Sequence, residues 1–286
     1  MSPNTKAAVF MMVSMAAFTF NDACVKLAGR DLPLFQLITL RGVLASFLIF
    51  LLALRFRAVR FDLAAGDWAL VAVRAAMEAA ATFFFLTALM SMPLANVTAV
   101  MQVMPLTVTL GAALVFREQV GWRRVLAIAL GFCGMLLIVR PGPAGFSIHA
   151  VYALAAVLCV TCRDLVTRRM SARVPSLTVT LVSSLAVLTF GAVASTGETW
   201  VKVNLADALL LIASAVFIIG GYLFSILVMR AGEVSFTAPF RYTGLVWALI
   251  LGWLVFDHWP DRLTMLGACI VVASGLFALY RERVKV

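Results

Sequence analysis

Near-continuous apolar runs of about 20 residues, joined by short connections, fill almost the whole chain, and this pattern leaves very few structures open to it. The runs extend from Lys6 to Ala28, Leu34 to Leu54, Trp68 to Met90, Ala95 to Phe116, Val125 to Val139, Ile148 to Val166, Leu177 to Ala194, Ala206 to Met229, Ser235 to Phe256 and Leu263 to Tyr280. A spanning β-barrel would alternate polar and apolar residues, so runs of this kind point to helices. With 64% hydrophobic and only 13% charged residues, soluble globular classes are excluded. The expected fold class is an all-α membrane protein with ten transmembrane helices.

The net charge of +10 raises the question of a nucleic-acid partner, but the distribution of basic residues answers against one. If ten helices alternate, Lys6, Arg55, Arg57, Arg60, Arg117, Arg123, Arg124, Arg168, Arg169, Arg173, Arg230, Arg281, Arg283 and Lys285 fall on the side of the N-terminus. The other side holds Arg30, Arg140, Lys202 and Arg262. Cytoplasmic loops carry the excess of Lys and Arg, so both termini are expected in the cytoplasm. The first run carries Asn21, Asp22 and Lys26 and lacks a small-residue cleavage site, so it reads as a retained helix and not as a signal peptide. Cys24, Cys133, Cys159, Cys162 and Cys269 all lie inside runs, as small apolar side chains. Cys159 and Cys162 form a CxxC with neither a second pair nor a nearby histidine to complete a zinc site, and no cofactor or metal is expected.

The strongest break, Arg140-Pro-Gly-Pro-Ala-Gly145, falls near the midpoint. It divides the chain into a first five-helix repeat (1–140), a linker (141–145) and a second five-helix repeat (146–286). Adding 142 takes Asp22 to Asp164, Lys26 to Arg168 and Pro33 to Pro175; adding 140 takes Leu114-Val-Phe116 to Leu254-Val-Phe256 and Leu126 to Leu266. Because each repeat has an odd number of helices, the second is expected to run inverted through the bilayer, an arrangement that recurs in alternating-access carriers.

Arg41, then Leu94 to Gln119 (LANVTAVMQVMPLTVTLGAALVFREQ) and a fifth run with Ala127, Gly131 and Gly134, are followed in the second half by Ala238 to Asp261 (APFRYTGLVWALILGWLVFDHWPD) and Leu266 to Arg283 (LGACIVVASGLFALYRER). In this order the segments resemble the EamA family of the drug/metabolite transporter superfamily over essentially the whole chain. Pro105 and Glu118 match the family's proline in helix 4 and its following acidic residue; Asp257 stands near the equivalent of Glu118, one residue out of register. The resemblance implies a carrier without a cofactor in a bacterial cytoplasmic membrane. Within the superfamily the chain is similar to amino-acid exporters of the YddG type, which implies export of aromatic and other neutral amino acids; the alternative is a carrier of another metabolite, such as a vitamin, a nucleoside derivative or a drug.

An ionisable side chain in mid-membrane costs about 2.5 to 3.5 kcal/mol on insertion scales, so it normally faces protein or a wet cavity. Asp22, Lys26, Arg41, Arg74, Glu78, Arg163, Asp164 and Arg241 are such groups. Arg74 and Glu78, four apart on one helix, can pair, or Glu78 can meet a substrate amino group or carry a proton. Asp22 with Lys26 and Asp164 with Arg168 repeat an acid-to-base spacing that points to pairing at helix ends. Arg41 matches the arginine of the family's second helix and can equally hold helices together through backbone carbonyls, so it is not assigned to the substrate. Thr98, Gln102, Pro105 and Thr109 form a polar stripe. Pro105 frees the carbonyl of Met101, and Pro239 that of Ser235. These two helices are therefore the expected lining of the pathway, with Glu78, Thr98, Met101, Gln102, Arg241, Tyr242 and Trp247 as candidate substrate-facing residues and Pro105 and Pro239 as kinks. Arg241, on a stripe with Thr237, Gly244 and Ala248, is read either as a cavity residue that binds a carboxylate or as the partner of Glu78 or Asp22. Phe83, Phe84, Phe85, Phe224, Phe240 and Tyr222 add an aromatic supply for an apolar wall.

Paired aspartates, a metal-spaced histidine set or a nucleophile motif would mark a membrane enzyme, and none is present; His149 and His258 sit at run edges. A channel would need a repeated filter segment. The expected partners are a small-molecule substrate and the lipid bilayer, with nothing in the sequence to set an oligomeric state.

Overall fold

The computed structural model describes residues 2–56, 62–117, 121–139, 147–171, 173–231 and 234–283. The linker 141–145 and Glu118 lie outside them. The helices are α1 (Pro3–Ala28), α2 (Leu34–Phe56), α3 (Ala65–Ser91), α4 (Leu94–Met101), α5 (Met104–Phe116), α6 (Trp122–Val139), α7 (Ile148–Arg169), α8 (Ser176–Ala194), α9 (Leu205–Ala231), α10 (Val234–Thr237), α11 (Thr243–Leu254) and α12 (Arg262–Arg283). Among the described residues every regular element is helical. Seven of the helical stretches are long and apolar enough to cross a membrane, and Val125–Val139 and Arg262–Phe277 are shorter apolar helices. The protein is thus a multi-pass membrane protein.

Local chemistry explains the ends and breaks. Ser2 caps α1, its hydroxyl accepting from the Thr5 N–H at 3.2 Å, with Pro3 in the first turn, where a missing N–H costs nothing. The fourth apolar run is two helices, because Pro105 has no N–H to give to Met101 and the chain turns at Gln102 and Val103 before α5 resumes. Around Pro239 the ninth run breaks in the same way, into α10, a tight 3-10 stretch from Ala238 to Tyr242, and α11. Arg117 (φ 56°) and Asp257 (φ 50°), which follow the ends of α5 and α11, both adopt the left-handed conformation that closes helices. They are 140 residues apart, which makes Asp257 the repeat mate of Arg117.

The largest helix interfaces are α1 with α9, α3 with α7, α6 with α12 and α2 with α8, and α4 meets α11. Each joins a helix before the midpoint break to one after it. Under the 140 to 142 offsets, α1 with α9 maps onto α7 with α3, while the α2–α8 and α6–α12 pairs map onto themselves. The two halves are therefore interleaved about an approximate two-fold axis. At the α6–α12 crossing, a Cβ on Gly134 would stand 2.8 Å from the Gly267 carbonyl, and one on Gly267 would stand 2.5 Å from the Gly134 carbonyl. Glycines are required here because lipid supplies no hydrophobic drive between helices, which must instead approach closely.

Candidate functional site

Where the two halves meet, α2, α3, α8 and α9 enclose a cleft of about 810 Å³, its open mouth included. Ile38, Arg41, Gly42, Ala45 and Ile49 line it from α2; Arg74, Glu78 and Thr82 from α3; Thr180, Ser183, Ser184 and Val187 from α8; and Ile218, Ile219 and Tyr222 from α9.

These positions are largely repeat mates. Adding 142 to residues 38, 41, 42 and 45 gives 180, 183, 184 and 187, and adding 140 to 78 and 82 gives 218 and 222. The backbone frame is thus symmetric but the chemistry is not: the first half contributes Arg41, Arg74 and Glu78, and the second contributes hydroxyls. Gly42 is pressed on Leu188, whose backbone would stand 3.0 Å from a Cβ there, and at the mated position Ser184 bonds Ser46, Oγ to Oγ, at 2.6 Å.

Glu78 is held at the cleft wall by two arginines. Arg163 Nη1 of α7 donates to both carboxylate oxygens at 3.2 Å, and Arg74 Nη2 stands 3.8 Å away, so the i, i+4 spacing does form a pair but not the closer one. Arg163 Nη2 also pairs with Asp164 at 2.8 Å. Arg74 donates to Ser183 Oγ at 2.5 Å and to Thr167 Oγ1 at 3.0 Å, which ties α3 to α7 and α8. The glutamate and both its partners are therefore engaged with protein.

Arg41 differs. It lines the cleft and forms no hydrogen bond or ion pair with any described residue, so it is not the carbonyl-binding tie that the sequence allowed. Asp22 is the acidic group that acts on it most strongly, without contact. Asp22 itself accepts from Asn21 Nδ2 at 2.9 Å and does not pair with Lys26. The Lys26 ammonium instead donates to the carbonyls of Leu89 and of Met92, the latter at 2.8 Å, satisfying acceptors that the end of α3 leaves free. In the mated pair, Asp164 takes Arg163, and the Arg168 guanidinium lies over the Phe116 ring.

An aromatic cluster stands beyond the cleft lining towards the start of α2. One turn beyond Ile38 and Val187 stand Phe35 and Phe190, which with Phe83 form a triangle of rings with centroids 5.8 to 6.0 Å apart. Phe84 and Tyr152 extend this cluster. Outside it, the Glu198 carboxylate accepts from the N–H groups of Phe35 (3.2 Å) and Gln36 (3.4 Å), and the Gln36 amide pairs in both directions with the Val201 backbone at 2.8 and 2.9 Å.

Of the residues singled out from the sequence, Glu78 reaches this cleft and Thr98, Met101, Gln102, Arg241, Tyr242 and Trp247 are not among its lining. Gln102 faces Gly244 across the α4–α11 contact, and the half-buried Trp247 packs on Phe20, 6.1 Å between centroids. Tyr242 is 5% exposed, jammed against Gly275, and its hydroxyl is without a partner among the described residues. Arg241 is exposed and bonds neither Glu78 nor Asp22; Asp164 is the acidic group that acts on it. Sequence reasoning passed over Arg41 as a site residue and missed Ser183, Ser184 and Thr180 altogether. The 142-residue offset was the available signal, since it sets Arg41 and Gly42 opposite two consecutive serines.

A sequence profile described as the EamA-like transporter family matches residues 5–140 and again 147–280. The chain is 27% identical over 282 residues to the Pseudopaline exporter CntI of Pseudomonas aeruginosa, covering 97% of each. It is 24% identical to an S-adenosylmethionine uptake transporter of Rickettsia bellii and 28% identical to a riboflavin transporter of Rhizobium johnstonii. Those two alignments cover 67% and 68% of this chain and span only 65% and 64% of the relatives' lengths. A solved crystal structure superposes with a TM-score of 0.67 at 20% identity, covering 99% of both chains, which shows a shared fold.

Proposed function

The chain belongs to the EamA-like transporter family, a transporter and not an enzyme, and on that premise we propose that it is a secondary carrier moving a small metabolite across the bacterial inner membrane by alternating access. The observation that carries this reading is the cleft, whose walls are repeat mates: a site on the axis relating two halves is the one place both can reshape by exchanging conformations. In this reading α4 with α5 make one crossing and α10 with α11 another, giving ten crossings, an inverted second half and cytoplasmic termini. Support for that orientation comes from the basic residues on the side of the N-terminus. The breaks at Gln102 and around Pro239 serve as flexing points. Thr98, Met101, Gln102, Arg241, Tyr242 and Trp247 belong to the flexing pair rather than to the ground-state cleft.

For the substrate we adopt the broader reading, a metabolite other than a simple neutral amino acid. The relatives are named for S-adenosylmethionine uptake, pseudopaline export and riboflavin transport, and none of these names speaks for amino-acid export. The test is counterflow in proteoliposomes preloaded with members of a panel of S-adenosylmethionine, riboflavin, nucleosides and neutral amino acids. Saturable exchange of a panel metabolite is expected, with Ala45→Trp, which fills the cleft wall, lowering it at least about tenfold in folded protein. Exchange confined to aromatic and neutral amino acids would return the substrate to the narrower class, and unimpaired exchange by Ala45→Trp would remove the cleft from the pathway.

A further inference from the structure

Resting on the carrier reading, the geometry points to a carboxylate-bearing substrate whose carboxylate is engaged by Arg41. Three charged side chains line the cleft. Two of them are already used: Glu78 accepts from Arg163 on both oxygens, and Arg74 is bonded to Ser183 and Thr167 beside Glu78. The third, Arg41, has five N–H donors and no partner among the described residues. A guanidinium inside a membrane protein is rarely left without acceptors, because each unmet donor forfeits a hydrogen bond that water or ligand would supply. Its planar fork matches a carboxylate through two parallel hydrogen bonds.

The surroundings narrow the class further. Asp22, whose carboxylate accepts from Asn21, makes no hydrogen bond or ion pair with Arg41, so the guanidinium donors stay open. One free guanidinium with a planar fork favours a single carboxylate over a phosphate dianion. The α8 wall of the same cleft carries the hydroxyls of Thr180, Ser183 and Ser184, Thr82 and Tyr222 stand on the α3 and α9 walls, and Ile38, Ala45, Ile49, Val187, Ile218 and Ile219 are aliphatic. The site thus has one anion-reading corner, a hydroxyl-bearing flank for polar substituents and an apolar remainder. It fits a metabolite with one carboxylate on a body that is part polar and part apolar.

The experiment uses the full chain in proteoliposomes and probes that differ in the anionic group. They are S-adenosylmethionine against 5′-methylthioadenosine, which lacks the carboxylate together with the ammonium and sulfonium; phenylalanine against phenylalaninamide, which removes only the carboxylate charge; and riboflavin against flavin mononucleotide, which tests phosphate. The expected result is that exchange is confined to carboxylate-bearing members, with KM rising about 10- to 100-fold in Arg41→Ala. Arg41→Lys, which keeps the charge but loses the fork, falls between, and both variants elute and melt as wild type does. If Arg41→Ala fails to fold, Arg41→Lys against the carboxylate and amide pair still decides, because only a substrate-reading arginine changes the ratio between those two compounds. Exchange of a compound without an anion, or carboxylate exchange with the same KM in a folded Arg41 variant, overturns the assignment and leaves the carrier reading intact. Exchange of flavin mononucleotide alone overturns the carboxylate in favour of phosphate. Absence of exchange of every probe by folded wild-type protein overturns this assignment too, and counts against the carrier reading itself only when the wider counterflow panel is also silent.

Discussion

Glu78→Ala is expected to lower the stability of the solubilised protein by about 3 kcal/mol, seen as a fall in apparent melting temperature on the order of 6–10 °C. The Arg163 and Arg74 side chains beside it are only 21% and 16% exposed, and without the carboxylate Arg74 would lose its acidic partner while Arg163 would keep only Asp164. Removing one member of a buried ion set costs more than the set contributed, because the remaining charge stays desolvated. The double variant Glu78→Ala with Arg163→Ala is therefore expected to recover part of the loss, and the size of that recovery measures the coupling. Glu78→Gln keeps the hydrogen bonds without the charge and should fall between. A melting temperature within about 1 °C of wild type for Glu78→Ala would mean that the network across α3 and α7 is not a structural tie, and would reopen Glu78 as a group that meets substrate or carries a proton.

A reversible lock is expected from the pair Ser46→Cys and Ser184→Cys, made in a background where Cys24, Cys133, Cys159, Cys162 and Cys269 are replaced by alanine. The two hydroxyl oxygens are 2.6 Å apart, close to the geometry a disulfide needs. The bond would join α2 of one half to α8 of the other beside the cleft. Alternating access requires the halves to shift against each other, so oxidation should cut exchange at least about tenfold and reduction should restore it. Full exchange by protein shown to be cross-linked would mean that α2 and α8 move as one body.

The helices themselves were legible because a spanning segment must satisfy its backbone internally and stay apolar for about 20 residues, and both demands are written locally. The breaks were legible too: a proline in mid-run frees a carbonyl whatever surrounds it, and the chain turns at Gln102 and at Pro239 as that rule requires. What could not be read was which faces meet. Lipid and protein interior are equally apolar, so a helix such as α2 carries no strong polar stripe to mark its buried side. Hence the pathway was assigned to α4 and α11 on their polar and broken character, while the cleft lies among α2, α3, α8 and α9. Local spacing also misled on charge pairs. Asp22 and Lys26 are four apart, yet the lysine reaches the end of α3 because free carbonyls there are nearer acceptors. Arg163 reaches across to Glu78 from another helix, a contact no spacing along one helix reveals.

The most direct test of the central claim, that the cleft between the halves is the substrate site of a carrier, is the reactivity of Ser183→Cys in the same cysteine-free background. This residue stands on the α8 wall as the repeat mate of Arg41. A small thiol reagent applied to proteoliposomes should label it, and a saturating concentration of the exchanged metabolite should slow labelling at least about fivefold, while a non-exchanged analogue should leave it unchanged. Labelling at the same rate with and without the exchanged metabolite, by protein that still exchanges it, would contradict the account and place the substrate elsewhere.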